Sequence, residues 1–446
     1  MNYSETVAYL YTQLPMFTRV GGAAYKGSLD NTIALCNALG NPQHQFKSIH
    51  VAGTNGKGST SHMLAAIFQT AGYKTGLYTS PHLYDFRERI KIDGVLCQES
   101  FVVDFVAQIQ PLVITLQPSF FEITVAMAFA YFAANKVDIA IIEVGMGGRL
   151  DSTNVILPQL CIITNIGYDH MQFLGNTLPL IAAEKAGIIK PKTPVIISEY
   201  LPETRPVFEQ VADQNQAPIV FASDEWQMVN HQYVPPYAQW QIKKGNQFLE
   251  YHLDLLGLYQ AHNLIGVLAA VTFLNQNGWH LSAQTVTTAL QQVKKTTGLC
   301  GRWDVLRAHS PLIIADVGHN EAGIAQIVYQ LKHTPYKRLH VVLGMVKDKA
   351  IDKVLALLPQ AAVYYFTQAA IPRALPATEL QEQAMTYGLK GHHYAIVQHA
   401  VQAAVDNTEQ GDLILICGSF FIVAEVDLAA IQFKDVANPL PAAQSK

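Results

Sequence analysis

Short runs of β-branched and other apolar residues recur through the N-terminal half of the chain, each closed by glycine or a polar residue. The segments KSIHVAG, KTGLYTS, VDIAIIEVG, LCIITNIG and TPVIISE are of this kind and predict buried strands. Between them, apolar residues at helical spacing predict helices in STSHMLAAIFQTAGY and around residues 100–115 and 122–135. Strands that alternate with helices predict a largely parallel sheet.

The pattern changes after Pro202, where an aromatic, alternating segment predicts an antiparallel hairpin region. The helical stretch NLIGVLAAVTFLNQNG and the linker-like TTGLCGR follow it. The alternation of strands and helices then restarts with PLIIADVG, RLHVVLGM, AVYYFT and DLILICGS. We therefore predict two domains, residues 1–297 and residues 298–446.

Composition narrows the class of protein. The net charge of −4 and the pI near 6.5 provide no basic surface for nucleic acid or an anionic membrane. The five cysteines are scattered, which favours a reducing compartment over a disulfide framework or a zinc site. The N-terminus lacks the pattern of a signal peptide, and no apolar run looks long enough to span a bilayer. We expect a cytoplasmic enzyme with neither nucleic-acid nor membrane partners.

The stretch HVAGTNGKGSTS resembles a phosphate-binding loop with compressed spacing, between a predicted strand and a predicted helix. Backbone N–H groups and the helix dipole would hold a phosphate, Lys57 would reach the β- and γ-phosphates, and Ser59 or Thr60 would bind magnesium. A solvated glycine-rich turn is the alternative. The predicted loop, residues 53–60, consists of Gly53, Thr54, Asn55, Gly56, Lys57, Gly58, Ser59 and Thr60.

A carboxylate at another strand end supports the nucleotide site. VDIAIIEVG delivers Glu143 at the end of its strand, and the polar loop MGGRLDSTN follows. Ligands of open α/β sheets collect at these carboxyl ends. The prediction is an α/β protein with a P-loop-type N-terminal ATPase domain, built on a mostly parallel sheet, and a smaller Rossmann-like C-terminal domain.

Nine segments occur in the order found in folylpolyglutamate and dihydrofolate synthases of the Mur ligase superfamily, which the chain resembles from about Tyr3 to Glu425. The segments are SIHVAGTNGKGSTS, GLYTSPHL, RERI, IIEVGMGGRLDSTN, ITNIGYDHMQFLG, EKAGIIK, GRWD, DVGHN and CGSF. The resemblance implies a monomeric enzyme that uses ATP to join glutamate to a folate carboxylate through an acyl phosphate. It also implies two Mg²⁺ ions and small-molecule partners only.

The resemblance assigns metal ligands. Ser59 and Glu143 would hold one Mg²⁺, and Ser80, Glu143 and His170 the second. A capping or core histidine is the alternative for His170, and Asp169 is either the true ligand or the residue that orients His170.

The resemblance also assigns roles around the phosphates. Lys185 matches a lysine that is often carbamylated in the family; an ordinary lysine paired with Glu184 is the alternative. Arg302 would reach the phosphates, while Asp316 and His319 approach the nucleotide and the bound acid. Asn263 would contact the base, or else simply belong to a helix N-terminus. The implied catalytic set is Lys57, Lys185, Arg302 and His319.

The folate side is implied by fewer residues. Phe121 would stack on the pterin, with Asp151 and Ser152 at its ring, and His82 would touch the folate. Plain core packing is the alternative for Phe121. Ser419 is a weaker candidate for glutamate. Polyglutamate synthesis ranks first, and dihydrofolate synthesis stays open as a second activity.

Two other classes of protein are weighed. A peptidoglycan ligase of the Mur superfamily would need a further N-terminal domain, for which about fifty residues before the loop leave no room. A nucleotide-binding regulatory protein would not need the chemistry implied by Glu143, His170, Lys185, Arg302 and Asp316 together.

Overall fold

The computed structural model describes residues 1–15, 27–234, 236–347 and 351–433. Its first sheet has eight strands in the order β4-β3-β2-β5-β1-β6-β7-β8, and neighbouring strands pair in parallel except for the pairs β2-β3 and β3-β4, which are antiparallel. The strands are β1 Lys47–Ala52, β2 Thr75–Tyr78, β3 Ile90–Ile92, β4 Val95–Leu96, β5 Ile139–Glu143, β6 Leu160–Ile163, β7 Val195–Ile197 and β8 Ile219–Phe221.

Helices cover both faces of this sheet, so its strands are mostly apolar. Side chains of β5 alternate between the faces: Ile139 and Ile141 join one core cluster, while Ala140 and Ile142 join another. The helices are Tyr3–Gln13, Asp30–Ala38, Lys57–Thr70, Glu99–Leu116, Phe120–Ala134, Met171–Leu174, Leu178–Ala186, Arg205–Gln214, Ala222–Glu225, Gln260–Gln276, Ala283–Leu290 and Val293–Thr297, with 3-10 turns at Pro42–His44, Phe86–Arg89 and Ser152–Val155.

The aromatic segment after Pro202 forms a three-stranded antiparallel sheet, ordered β11-β10-β9. Its strands are β9 Trp226–Val234, β10 Tyr237–Lys244 and β11 Gln247–Leu253. Trp240, Ile242 and Leu253 are fully buried in the core shared with helices Lys57–Thr70 and Gln260–Gln276. This small sheet therefore extends the first core.

The second large sheet has six strands in the order β12-β13-β17-β14-β15-β16, parallel apart from the edge strand β12. The strands are β12 Asp304–Arg307, β13 Leu312–Ala315, β14 Leu339–Leu343, β15 Val363–Thr367, β16 Lys390–Tyr394 and β17 Leu413–Cys417. Its helices are Glu321–Leu331, Ile351–Leu355, Ala377–Thr386, Val397–Asp406 and Phe420–Ala424, with a 3-10 turn at Leu428–Ala430. The α/β class and the mostly parallel sheets are confirmed. The domain division at residues 297 and 298 falls between Val293–Thr297 and β12 and stays a prediction.

One sequence expectation is wrong. Among the described residues, helix Glu99–Leu116 is long and apolar enough to cross a membrane by the measures of length and composition. Its buried residues are Val102, Phe105, Val106 and Ile109, which pack in the core beside helix Phe120–Ala134. Because a core helix can pass the same test, this one helix does not assign a membrane.

Candidate active site

A cavity of about 510 Å³ lies where the carboxyl ends of β1 and β5 in the first sheet face those of β13 and β17 in the second. Of the predicted site residues, those that line it are Gly53, Thr54, Asn55, Gly56, Lys57, Gly58, Ser59, Ser80, Phe121, Glu143, Asp151, Ser152, His170, Lys185, Asn263, Arg302, Asp316, His319 and Ser419. Thr60 and His82 do not line it.

The glycine-rich loop is packed against its neighbours rather than solvated. Gly53 has φ 147°, and a Cβ there would lie 1.8 Å from Thr164 Oγ1. Gly56 has φ 83°, and its Cβ would lie 2.1 Å from Asn263 Oδ1. Both a left-handed backbone and close neighbours therefore require glycine at these positions. Thr164 also donates from Oγ1 to the carbonyl of Asn55 at 2.6 Å, which fixes the middle of the loop.

Two lysines, buried Lys185 and half-buried Lys57, meet at one carbonyl of this loop. Lys57 Nζ donates to the carbonyls of Gly53 and Thr54, both at 3.1 Å, and Lys185 Nζ donates to the same Gly53 carbonyl at 3.0 Å. Burial lowers the pKa of Lys57, although nearby Glu143 opposes the shift. Burial and the charge of Lys57 lower the pKa of Lys185 to about 7. An anion bound at this point would stabilise the charged form of both amines and so raise their pKa values.

Glu143 is buried on the adjacent strand, because β1 and β5 pair with Val51 opposite Glu143. The backbone N–H of Ser80 donates to its Oε2 at 3.2 Å. A Cβ on Gly58 would lie 3.7 Å from that oxygen and 3.4 Å from Arg302 Nη2, so a carboxylate and a guanidinium flank the first helical turn. Burial raises the pKa of Glu143, while Lys57, the Ser80 N–H and Arg302 lower it.

Ser59, not Thr60, presents its hydroxyl to the cavity. Thr60 is fully buried and its N–H is bonded to the Gly56 carbonyl, so its predicted cofactor contact is not supported. Gln260 Nε2 donates to Ser59 Oγ at 3.1 Å, and Asn263 Nδ2 donates to Gln260 Oε1 at 2.8 Å. Asn263, predicted to contact the base, thus lies against the phosphate loop and orients Gln260.

The donor set suits a magnesium ion that takes part of its coordination from phosphate. Among the described residues, no three His, Cys, Asp or Glu side chains stand close enough to hold a metal by themselves. Ser59, Ser80 and Glu143 offer two hydroxyls and one carboxylate, and Mg²⁺ prefers hard oxygen ligands beside water and phosphate. His170 caps helix Met171–Leu174 with φ 49°, and its Nε2 lies 3.8 Å from Asp169 Oδ2.

Asp169 joins residues from both large sheets. His319 Nε2 lies 3.6 Å from Asp169 Oδ2, and Asn320 Nδ2 donates to the same oxygen at 3.2 Å. Asn320 also exchanges hydrogen bonds with Asn55 of the phosphate loop, at 3.1 and 3.3 Å. Because Asn320 is the N-cap of helix Glu321–Leu331, this amide pair ties the loop directly to the second sheet.

The C-terminal candidates have structural partners already. Asp316, predicted to bind the cofactor, accepts hydrogen bonds from the Tyr259 hydroxyl at 2.7 Å and from the N–H groups of Trp303 and Gly318, each at 2.8 Å. Burial raises its pKa, and these donors oppose the shift. The guanidinium of Arg302 lies 4.9 Å from the ring centre of Phe420. Ser419 N-caps helix Phe420–Ala424.

Part of the cavity wall is aromatic. Phe121 packs so closely on Gly145 that a Cβ there would lie 2.4 Å from its ring. Phe120 is almost fully buried, whereas Phe121 is only half-buried and lines the cavity. Asp151 accepts from the N–H groups of Met146 at 2.9 Å and Thr153 at 3.0 Å. Its carboxylate thus holds the shape of this wall.

Comparison with known proteins agrees with the geometry. The family described as "Mur ligase middle domain" matches residues 51–271, and "Mur ligase, glutamate ligase domain" matches residues 301–420. The dihydrofolate synthase/folylpolyglutamate synthase of Bacillus subtilis is 33% identical, over 90% of this chain and 94% of that protein. The chain belongs to the folylpolyglutamate synthase and dihydrofolate synthase family. It is therefore an ATP-dependent ligase.

Other members of this ligase family agree. The folylpolyglutamate synthase of Lacticaseibacillus casei is 31% identical, over 96% of this chain and 98% of that protein. The solved structure of Escherichia coli FolC in complex with DHPP and ADP superposes with TM-score 0.82 and 29% identity, covering 95% of this chain and 96% of that one. Mycobacterium tuberculosis folylpolyglutamate synthase complexed with ADP gives TM-score 0.84 and 31% identity, covering 95% and 98%.

His82 is predicted to touch the folate. In the structure, Arg89 and not His82 lies at the cavity wall of this ligase. The His82 ring is occupied on both nitrogens, by the Tyr11 hydroxyl at 3.1 Å and by Arg89 Nε at 2.8 Å. Arg89 lines the cavity and His82 does not. The segment RERI, one of the family motifs, was the signal that could have indicated Arg89. Asn320 and Gln260 were likewise missed as contacts of the phosphate loop.

Proposed function

We propose that this ligase adds L-glutamate to tetrahydrofolate, extending its polyglutamate chain. The observation that carries the proposal is a single cavity with both charged and aromatic lining. Lys57 and Arg302 lie near Glu143, Lys185 shares the Gly53 carbonyl with Lys57, and Phe121 lines the same cavity. The charged part suits the phosphates of ATP, and the aromatic part suits a flat, aromatic acceptor.

The reaction has two balanced steps. The acceptor carboxylate attacks the γ-phosphorus of ATP, which forms an acyl phosphate and releases ADP. The glutamate amine then attacks the acyl carbon, an amide forms, and phosphate leaves with a proton lost from nitrogen. Both steps bring anions together, so Lys57 and Arg302 would lower the barrier by offsetting charge. Ser59, Ser80 and Glu143 would hold Mg²⁺, with His170 a further ligand of a second ion, and bound Mg²⁺ supplies charge neutralisation at the phosphates.

Two features support carbamylation of Lys185. Its Nζ is buried beside Lys57, and its pKa of about 7 leaves much of the amine neutral at physiological pH. Neutral Nζ can attack CO₂ and lose a proton, which converts a repelled cation into an anionic oxygen ligand. The alternative pairing with Glu184 is disfavoured, because Arg149 Nη2 lies 2.8 Å from the Glu184 carboxylate.

Lys185→Ala is expected to lower turnover by about 100-fold or more, because the anionic carbamate that balances Lys57 and offers a ligand to Mg²⁺ is lost. Formate or acetate should restore part of the activity by supplying the missing carboxylate. Activation of the wild type by bicarbonate should grow as pH rises through about 7, since only neutral Nζ reacts. Initial rates of ADP release measure both effects. Lys190→Ala, which removes a lysine outside the cavity, is the control and should not respond to acetate. A fully active Lys185→Ala enzyme would contradict the proposal.

Dihydrofolate synthesis is the second candidate function, and the wall formed by Phe121, Asp151 and Ser152 favours it. Dihydropteroate is shorter than folate by one glutamate, so its pterin must sit deeper for its carboxylate to reach the same phosphates. We expect dihydropteroate, glutamate and ATP to yield dihydrofolate, measured by chromatography beside the extension of tetrahydrofolate. Asp151→Asn should lower the dihydropteroate reaction more than the folate reaction.

Each outcome of this substrate panel decides something. If tetrahydrofolate is extended and dihydropteroate gives no product, polyglutamate synthesis is the sole activity of the two. Phosphate release that depends on neither folate nor glutamate would favour a nucleotide-binding regulatory protein instead.

The five cysteines are all free, which supports the proposed cytoplasmic location. The proposed monomeric state is testable by light scattering.

A further inference from the structure

Arg89 is a buried cation at the wall of the cavity. It ends the 3-10 turn Phe86–Arg89, its residue is only 5% exposed, and its side chain lines the cavity. Within the part of the chain that the structure describes, no Asp or Glu oxygen lies within 4 Å of its guanidinium. Neighbouring Arg87 is different, since it is more exposed and lies 2.7 Å from Asp85.

The immediate partners of Arg89 carry no negative charge. Its Nε donates to His82 Nδ1 at 2.8 Å, and its guanidinium lies 5.2 Å from the ring centre of Phe120. Because His82 Nδ1 accepts, the ring proton is on Nε2 and donates to the Tyr11 hydroxyl. A histidine ring that accepts at Nδ1 is neutral, so His82 brings no charge of its own. Nothing in this shell neutralises the guanidinium.

Arginine keeps its proton even when it is buried, so the charge persists. A buried charge without a counter-ion is unfavourable, and a protein retains one where a ligand supplies the opposite charge. Glu143 exerts only a longer-range attraction on Arg89, and it already faces Lys57 and Arg302. An anionic group of a ligand would complete the environment of Arg89.

The position of Arg89 in the cavity indicates which ligand it contacts. Its neighbours Phe120 and Tyr78 lie beside Phe121, at the aromatic part of the cavity wall. ATP has its own cations in Lys57 and Arg302. We propose that Arg89 binds a carboxylate of the pteroate or folate acceptor, an assignment that rests on the proposed function. Arg89 and His82 then form one unit, in which neutral His82 orients the guanidinium.

A comparison of two ligands across two enzymes tests this assignment. Pteroate and its analogue without the carboxyl group are titrated, in the presence of ADP, into wild type and Arg89→Gln. The wild type should bind pteroate about 10- to 100-fold more tightly than the analogue, since charge-assisted hydrogen bonds are strong. Arg89→Gln should lose that preference while its affinity for the analogue changes little. Arg87→Gln, two residues away and outside the cavity, should keep the preference.

The source of the carboxylate is separated by kinetics. If Arg89 holds the carboxylate that pteroate itself carries, the dihydropteroate reaction suffers most, because that group is an amide in tetrahydrofolate. If it holds the α-carboxylate of the first glutamate, only the folate reaction suffers. Glutamate and ATP should keep their KM values in either case. Arg89→Lys keeps the charge and should retain part of the preference for pteroate over the analogue, even if Arg89→Gln folds poorly.

Two results would overturn the assignment. Equal weakening of pteroate and the analogue in Arg89→Gln would make Arg89 a structural residue, and an unchanged preference together with an unchanged folate reaction would place the carboxylate elsewhere. Failure of the proposed function has a different signature, because the wild type would then add glutamate to neither acceptor. An active wild type with an unselective Arg89 refutes the Arg89 assignment alone.

Discussion

Lys57→Ala is expected to lower kcat/KM for ATP by about 100- to 1,000-fold or more, as removal of a charge that acts in the transition state does. Among the described residues, the hydrogen bonds of Lys57 Nζ go to the loop carbonyls of Gly53 and Thr54, and burial already lowers its pKa. The lysine is therefore held in an unfavourable environment, which an anion at the loop would convert into a favourable one.

The measurement is steady-state ADP release at saturating acceptor and glutamate, with thermal unfolding as the check on folding. Lys91→Ala is the matched control. Like Lys57, Lys91 donates to a backbone carbonyl, that of Thr297. Lys91 is buried but lies outside the cavity. It should keep activity close to that of the wild type. Near wild-type turnover by folded Lys57→Ala would refute the phosphate-loop assignment.

Glu143→Ala is expected to lower turnover by a similar factor of about 100 to 1,000 and to raise the Mg²⁺ concentration needed for half-maximal rate. Glu143 is the buried carboxylate that adjoins the phosphate loop, Ser80 and Arg302. Removing it leaves Lys57 and Arg302 without their counter-charge. Glu143→Gln keeps the shape and should fail in the same way, which separates charge from packing.

A magnesium titration at fixed ATP measures this effect. Glu184→Gln is the control, because that carboxylate pairs with Arg149 outside the cavity. An unchanged magnesium dependence in Glu143→Ala would remove Glu143 from the metal site. Recovery of the full wild-type rate at high Mg²⁺ would instead limit its role to affinity for the ion.

The sequence predicts those parts of the site that depend on strand ends. A glycine-rich turn between a strand and a helix, and Glu143 at the end of another apolar strand, meet because parallel strands present their carboxyl ends at one edge. The edge strand β16 escapes prediction, since KGHHY is polar and half-exposed and has no apolar alternation.

Side-chain partners are the part that sequence cannot supply. His82 and Arg89 stand seven residues apart, and only the packing of Tyr11 shows that the arginine, not the histidine, reaches the cavity. Asp316 could equally have faced a nucleotide, but Tyr259, distant in sequence, takes its carboxylate. Asn263 turns toward Gly56 for the same reason: the contact depends on how a helix docks, not on a motif.

The reciprocal amide pair of Asn55 and Asn320 has a thermodynamic consequence. The two residues are 265 positions apart in the chain. Their hydrogen bonds join the phosphate loop to the N-terminus of helix Glu321–Leu331 on the other sheet. Any change in nucleotide affinity caused by shifting that helix must be matched by an equal effect of nucleotide on the helix position. ATP binding at the loop and the position of the helix on the second sheet are therefore thermodynamically linked, so that a change in one is accompanied by a change in the other.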